Sequence, residues 1–230
     1  GESFYRGKLA ARIAAYAAST GGDLSREDLA SHRTDWVKPI SIAYHGIQLH
    51  EIPPNGQGLA GLIALGLLRH LDIRNYPVDC ADSVHLQVEA MKIAFAEAHR
   101  HIADPANMEV DPYDLLQDSF LEKRAKEIRM DQARFPKAAF PVDGGTVYLT
   151  AADRSGMMVS FIQSNFLGFG SGIVDPQTGI SFQNRGLGFT LEAGHPNCVA
   201  GGNRPYHTII PAFVTQNSLP LMSFGVMGGH

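Results

Sequence analysis

Thr146 has more chemistry to offer than any other side chain, provided the backbone is cut in front of it. It follows Gly144 and Gly145 and opens a β-rich run. A threonine exposed at a new N-terminus carries hydroxyl and amine on adjacent carbons, so the amine can act as base for the nucleophile. Glycine on the other side of the bond gives the backbone room for the strained geometry of an N→O acyl shift. Without cleavage, Thr146 is one more strand threonine.

Other motifs promise less. Gly56-Gln57-Gly58-Leu59-Ala60-Gly61 matches GxGxxG between a candidate strand and a candidate helix. Dinucleotide binding also demands a second parallel strand ending in an acid that holds the ribose. Here Asp72–Asp79 follows, with Pro77 inside the one candidate strand, so the run reads as glycines at a helix entry. Among the ten histidines, His99 and His101 are two apart and no HExxH spacing occurs, so no metal site is expected. His85 and Glu89, four apart, read as a helix contact. Phe169–Val174 (FGSGIV) is a glycine-rich loop without the Lys-Ser/Thr ending of a phosphate loop. A close backbone approach to substrate and a plain turn both fit it.

The elements that must position these residues change character near residue 145. Before it, the pattern predicts helices over Lys8–Ala17, from a Ser25/Asp28 capping box to Ser31, over Gly58–Leu71, over Asp82–His101 and over Pro112–Met130. The long helix shows Val84, Val88, Met91, Phe95 and Ala98 on one stripe, and Leu115, Leu116, Phe120 and Ile128 point inward on the next. Ile40–Ile52 reads as a strand pair turning at Tyr44-His45-Gly46. Residues 132–145 read as a loop. Beyond, Thr146–Ala152 and Met157–Gln163 form a hairpin signal around Asp153-Arg154-Ser155-Gly156. Short strands follow near Gly179–Gln183, Thr208–Thr215 and Leu219–Val226.

Composition sets the outer bounds. The 230 residues are 44% hydrophobic and 18% charged, enough to bury a core and exclude a disordered chain. A net charge of −4, with no run of like charges, makes no electrostatic case for nucleic acid. No stretch of 18 apolar residues suggests a membrane span. Cys80 and Cys198 form no zinc spacing and read as reduced thiols.

Taken together, the motifs resemble one family in order along nearly the whole chain. Gly145–Ser160 (GTVYLTAADRSGMMVS), FGSGIV and Thr178-Gly179-Ile180 are similar to the γ-glutamyltransferase (glutathione hydrolase) family of N-terminal-nucleophile hydrolases. So are Arg204-Pro205 before the strand ending at Pro211, and Gly225 with Gly228-Gly229. In the first half, Ser25–Leu29, Pro53-Pro54-Asn55 with Gly58, and Glu89–Phe95 with Asp104-Pro105 match the large-subunit pattern. The resemblance implies an α+β, four-layer αββα fold made as a precursor that cuts itself before the threonine. Residues 1–145 would then end the large subunit and 146–230 begin the small catalytic one, as a heterodimer open to higher assembly.

By the same resemblance, Thr146 attacks a γ-glutamyl amide and its freed amine moves the proton. Ser164 supplies a helper hydroxyl, and the backbone N–H groups of Gly228 and Gly229 form the oxyanion hole. The acyl-enzyme passes to water or an acceptor amine. No cofactor or metal is implied.

The departures from the family pattern bear on substrate. Its Thr-Thr-His start is Thr146-Val147-Tyr148 here, and Asn165 stands one residue out of register. The acid that holds the substrate ammonium is replaced by Gly188, Arg185 brings a positive charge, and the serine pair of the pocket is His207-Thr208. Losing a buried counter-charge would cost a glutamyl ammonium about 2–5 kcal/mol. Arg185 suits an acyl group bearing a carboxylate, such as glutaryl. This pattern resembles the cephalosporin acylase-like branch. The rival expectation is a degenerate member kept as an unprocessed scaffold. Family members are more than twice as long and match this stretch in their middle, so the −4 charge and the missing leader are expected to describe a segment, and the compartment stays open.

Overall fold

The computed structural model describes residues 1–134, 146–227 and 229. The greater part of the loop expected over 132–145, and with it the Gly145 side of the junction, lies outside the described residues; so does Gly228. The chain divides into two compact units, Gly1–Val37 with Ser171–Phe182, and Lys38–Gly170 with Gln183–His230.

The first unit holds α1 (Glu2–Tyr5), α2 (Lys8–Ser19) and α3 (Arg26–Ser31). The Ser25/Asp28 capping box forms in full: Ser25 Oγ accepts from the Asp28 N–H, and the Asp28 carboxylate accepts from the Ser25 N–H. Arg12 grips the fully buried Asp175 through Nε at 2.8 Å and Nη2 at 3.1 Å. That pairing, with Thr178 Oγ1 donating at 2.7 Å, holds the Asp175 carboxyl well below its usual range. Near Gly179–Gln183 the structure has no full strand, only an isolated bridge between Val174 and Ser181.

The second unit is built in layers on one antiparallel sheet. Its order is β1 (Ile40–Tyr44), β2 (Ile47–Glu51), β5 (Ile210–Gln216), β6 (Leu219–Val226). His45 and Gly46 take φ of 46° and 89°, the left-handed pair a two-residue hairpin needs. Because β2 pairs with β5, one sheet joins residues from both sides of position 145. The composition break is therefore not a break between compact bodies.

On one face of this sheet lies α4 (Gly58–Arg69), which packs on β1, β2 and β5. Leu59, Leu62, Ile63 and Leu67 of α4 are wholly buried. Behind it runs α5 (Ala81–His101), with α6 (Asp118–Ala125) alongside α4. The expected stripe on α5 is rotated: Val84 and Val88 are exposed, while Leu86, Ala90, Ile93, Ala94 and Ala98 are buried. Alanines at 90, 94 and 98 let the backbone of α5 approach the bulky side chains of α4. The helix expected over Pro112–Met130 is broken, with a 3-10 turn at Asp114–Leu116 before α6. Leu115 and Leu121 are its buried anchors; Leu116, Phe120 and Ile128 pack at the rim of the core.

Against the other face packs the hairpin β3 (Thr146–Ala152) and β4 (Met158–Ser164), in contact with β5 and β6. Ser160 Oγ donates to the Phe224 carbonyl across that interface at 3.2 Å. Alternation then decides which residues meet. Thr146, Tyr148, Ser160 and Ser164 fall on the half-buried side, and Val147, Leu149, Val159 and Phe161 are exposed on the other. Helices, sheet and hairpin thus make three layers. The four-layer fold that the family resemblance implies would place a further helical layer on the exposed apolar side of the hairpin.

Glu51 ends β2 in an apolar setting, and a Cβ on Gly58 would lie 2.5 Å from its Oε2. The carboxyl is 3% exposed, Oε2 has no partner, and burial pushes its pKa up to about 8. The native state therefore holds a proton that the unfolded chain, with a value near 4.5, releases earlier. Stability is full below pH 4.5 and is lost as pH rises through 8, at up to about 1.4 kcal/mol per pH unit. Glu51→Gln is expected to flatten that slope, read by urea unfolding at pH 5 and pH 8. An unchanged slope would remove Glu51 as its source.

Candidate active site

The register of the hairpin sets Thr146 opposite Ser164, and their hydroxyl oxygens stand 2.8 Å apart. The direction of this hydrogen bond follows from what else Ser164 does. Its Oγ accepts from Arg185 Nη2 at 2.7 Å and from the Phe166 N–H at 2.9 Å. A hydroxyl has two acceptor positions and one proton. With both acceptor positions filled, Ser164 donates to Thr146 Oγ1, and the Thr146 proton is left free for a base.

Arg185 lies on a 3-10 turn, Arg185–Gly188, and is 5% exposed. Its Nη1 donates to the buried Thr208 Oγ1 at 2.8 Å, and its guanidinium covers the Phe166 ring at 4.4 Å. Phe166 takes φ of 77°, a conformation costly for a bulky residue, and so aims its N–H at Ser164 and its ring at Arg185. The Asn184 N–H donates to the Asn165 carbonyl, and Asn184 Oδ1 accepts from the Leu167 N–H, fastening the turn after β4 to the turn that carries Arg185. Among the described residues no carboxylate pairs with Arg185, and its Nε is buried without a partner. Burial alone lowers its pKa to about 10, which leaves it charged at neutral pH.

His207 sits beside this charge. Burial, then the Arg185 guanidinium, push its pKa down to about 4, so it is a neutral imidazole at pH 7. Its Nδ1 accepts from the Ile209 N–H at 3.4 Å, which places the ring proton on Nε2. The backbone of His207 is zipped to residues 55–57: its N–H donates to the Asn55 carbonyl, and the Gln57 N–H donates to its carbonyl. Gln57 then reaches further. Its Nε2 donates to the Gly229 carbonyl at 3.3 Å while its Oε1 accepts from Tyr206 Oη at 3.0 Å.

The GxGxxG run thus does different work from its pattern. β2 is antiparallel to both of its neighbours, so neither is the parallel strand a ribose site needs, and Gln57 instead ties the start of α4 to Gly229. Sequence pattern gave no role to Gln57, Tyr206 or Phe166, although each lies within or beside a stretch it singled out: the GxGxxG run, His207 and Asn165. His85 Nε2 contacts the Arg129 carbonyl at 2.8 Å, while Glu89 pairs with Lys92. Gly170 and Gly172 take φ of 72° and 75°, as in plain turns. Among the described residues no three His, Cys, Asp or Glu side chains converge on a metal position.

Of the site residues the sequence predicted, the structure brings Thr146, Ser164, Arg185 and Thr208 into one chain of contacts, with His207 beside them. Gly229 is tied through Gln57, and Gly228 lies outside the described residues. Gly188 has a steric reason to be glycine: a Cβ there would lie 2.5 Å from the Tyr206 carbonyl oxygen. An acid cannot be grafted at 188 without moving that backbone. Gly188→Asp is expected to lower stability by about 1–3 kcal/mol and to bring no gain in γ-glutamyl affinity, as measured by thermal melting and KM. A gain in affinity with unchanged melting would contradict the steric account.

The described geometry has close counterparts. The chain is similar over its whole structure to the crystal structure of cephalosporin acylase from Bacillus halodurans, with TM-score 0.89 and 48% identity, covering 99% of this chain and 41% of that one. It is 40% identical to the oxamate amidohydrolase proenzyme of Klebsiella pneumoniae and 34% identical to the glutathione hydrolase-like YwrD proenzyme of Bacillus subtilis. Each similarity covers 99% of this chain and 43% of the relative, so the chain spans less than half of their length. The γ-glutamyltranspeptidase family model matches residues 1–230. On that match the chain belongs to the γ-glutamyltranspeptidase family, whose α+β N-terminal-nucleophile hydrolase fold it shares.

Proposed function

We propose that the protein carrying this chain is an autoprocessing amidohydrolase that works through a Thr146 acyl-enzyme. The observation that carries this reading is the Ser164 hydroxyl, fixed by its two donors so that it donates to Thr146 Oγ1. Cleavage after Gly145 frees the Thr146 amine and divides the chain into a large-subunit part, 1–145, and a small-subunit part, 146–230. The amine takes the proton of Oγ1 as the oxygen attacks the amide carbonyl. Ser164 supports the charge on the nucleophile, and the N–H groups of Gly228 and Gly229 receive the oxyanion. The proton goes to the leaving amine, and the ester on Thr146 is then hydrolysed by water or passed to an acceptor amine.

The proposed substrates are small amides whose acyl group carries a carboxylate, of the γ-glutamyl or glutaryl type. A buried, charged Arg185 without an acidic partner supports the carboxylate. The relatives' names support the amide: one hydrolase is glutathione hydrolase-like, one acts on oxamate, one is a cephalosporin acylase, and two are named as proenzymes. Mass spectrometry of the whole purified protein is expected to show a break between Gly145 and Thr146. A chain that stays intact through long incubation, with Thr146 unlabelled by an amide-mimicking electrophile, would overturn the reading.

A further inference from the structure

We infer that Gln57 is a positioning residue for amide cleavage: it fixes the Gly229 carbonyl, and with it the Gly229 N–H that receives the oxyanion. This rests on the reading of Thr146 and Gly229 proposed above. Contacts between the hairpin and the sheet carry Gly229 toward the nucleophile. Thr150 Oγ1 meets Ser223 Oγ, and a Cβ on Gly225 would run into the Tyr148 ring. Two residues back along β3 therefore answer to two residues forward along β6. The next step of this series sets Met227 level with Thr146, and Gly229 follows two residues later.

Gly229 takes φ of 107°, a state that suits glycine, and glycine has the most backbone freedom to lose when it is held. Oxyanion donors work when they are aimed before the reaction, so that freedom must be removed beforehand. Gln57 removes it. Its Nε2 donates to the Gly229 carbonyl at 3.3 Å. A carbonyl can only accept, so the amide turns its nitrogen that way and leaves Oε1 for Tyr206. Tyr206 Oη donates to Oε1 at 3.0 Å, and burial raises the phenol pKa, which keeps the proton in place. Tyr206 is clamped in turn. Its N–H donates to Asn197 Oδ1 at 2.9 Å, and its ring stacks on His99 with centroids 5.4 Å apart. The Gln57 N–H is tied as well, donating to the His207 carbonyl at 2.7 Å. Gln57 and Tyr206 are both buried, which keeps water from competing for these bonds.

The test uses the whole, self-cleaved enzyme, with rates normalised to the fraction of chains split between Gly145 and Thr146. Gln57→Leu is expected to lower kcat on a glutaryl or γ-glutamyl anilide at least tenfold and to change KM less than threefold, the mark of an interaction made in the transition state. Affinity for a carboxyalkylboronic acid, which forms a tetrahedral adduct on Thr146 Oγ1, is expected to fall at least tenfold too. The boronate needs no turnover, so it decides the matter by itself. Gln57→Glu keeps the size and the bond from Tyr206. Its protonated carboxyl can donate to the Gly229 carbonyl and its ionised form repels it, so the ratio of variant to unaltered boronate affinity is expected to fall at least tenfold from pH 6 to pH 9. Glu51 titrates over this range in both proteins and cancels in the ratio, while His207 stays neutral. A folded, split Gln57→Leu enzyme that loses less than tenfold in boronate affinity would overturn the inference. Where Gln57→Leu does not fold, a ratio for Gln57→Glu that stays flat with pH would overturn it. Splitting and boronate binding of the unaltered protein are read first, and their absence would instead overturn the Thr146 assignment.

Discussion

Replacing Thr146 by alanine is expected to leave the whole protein uncut and to abolish amide turnover, by at least ~10³-fold. Both losses follow from one oxygen. The hydroxyl that would attack the substrate is also the group that would attack the Gly145 carbonyl in the N→O shift, and without it no free amine appears at residue 146. Thr146→Ser keeps the oxygen and is expected to split, more slowly, and then turn over. The fold itself should be spared. Thr146 is half-buried, its strand pairing with Ser164 is made by the backbone, and the lost hydroxyl bond is worth about 1 kcal/mol. Intact mass, melting temperature and ammonia release on the same preparation separate these effects. A Thr146→Ala protein that still splits between 145 and 146 would remove Thr146 from both roles.

The hairpin that presents Thr146 was legible because strand alternation and a glycine turn are local signals, and both survive in the structure. The same holds for the capping box at Ser25 and the turn at His45-Gly46. The face of α5 was not legible. Hydrophobicity selects Val84 and Val88, but the buried side includes Glu89 and Glu97. Those carboxylates are tolerated there because Lys92, three residues on along α5, meets Glu89 at 2.6 Å, and because tertiary packing brings the Arg134 N–H to Glu89 at 3.1 Å and Arg124 to Glu97 at 2.7 Å. The site divides in the same way. Family resemblance supplied Thr146, Ser164 and the departures at 185 and 188. It could not supply the direction of the Ser164 bond, which depends on Arg185 arriving from 21 residues away, or the strut from Gln57 to Gly229, 172 residues apart.

The direction of the Ser164 bond makes the second large prediction. Ser164→Ala is expected to lower kcat by about 10²–10³-fold, comparable to losing one donor at a charged transition state, with little change in KM. Self-cleavage should slow in parallel, because the proposed mechanism uses the same Thr146 oxygen in both reactions. The substitution also strips an acceptor from Arg185 Nη2 and from the Phe166 N–H, which costs about 1–3 kcal/mol of stability. Lost rate could therefore be mistaken for lost fold, and Thr208→Val separates the two. Thr208 Oγ1 is the buried acceptor for Arg185 Nη1, and it makes no hydrogen bond to Thr146. Its removal should cost similar stability but less than tenfold in kcat, once rates are normalised to the electrophile-labelled fraction. If the two variants lose rate equally, Ser164 supports the pocket and does not donate to the nucleophile. If Ser164→Thr restores turnover while Ser164→Ala does not, the hydroxyl proton is what the reaction uses.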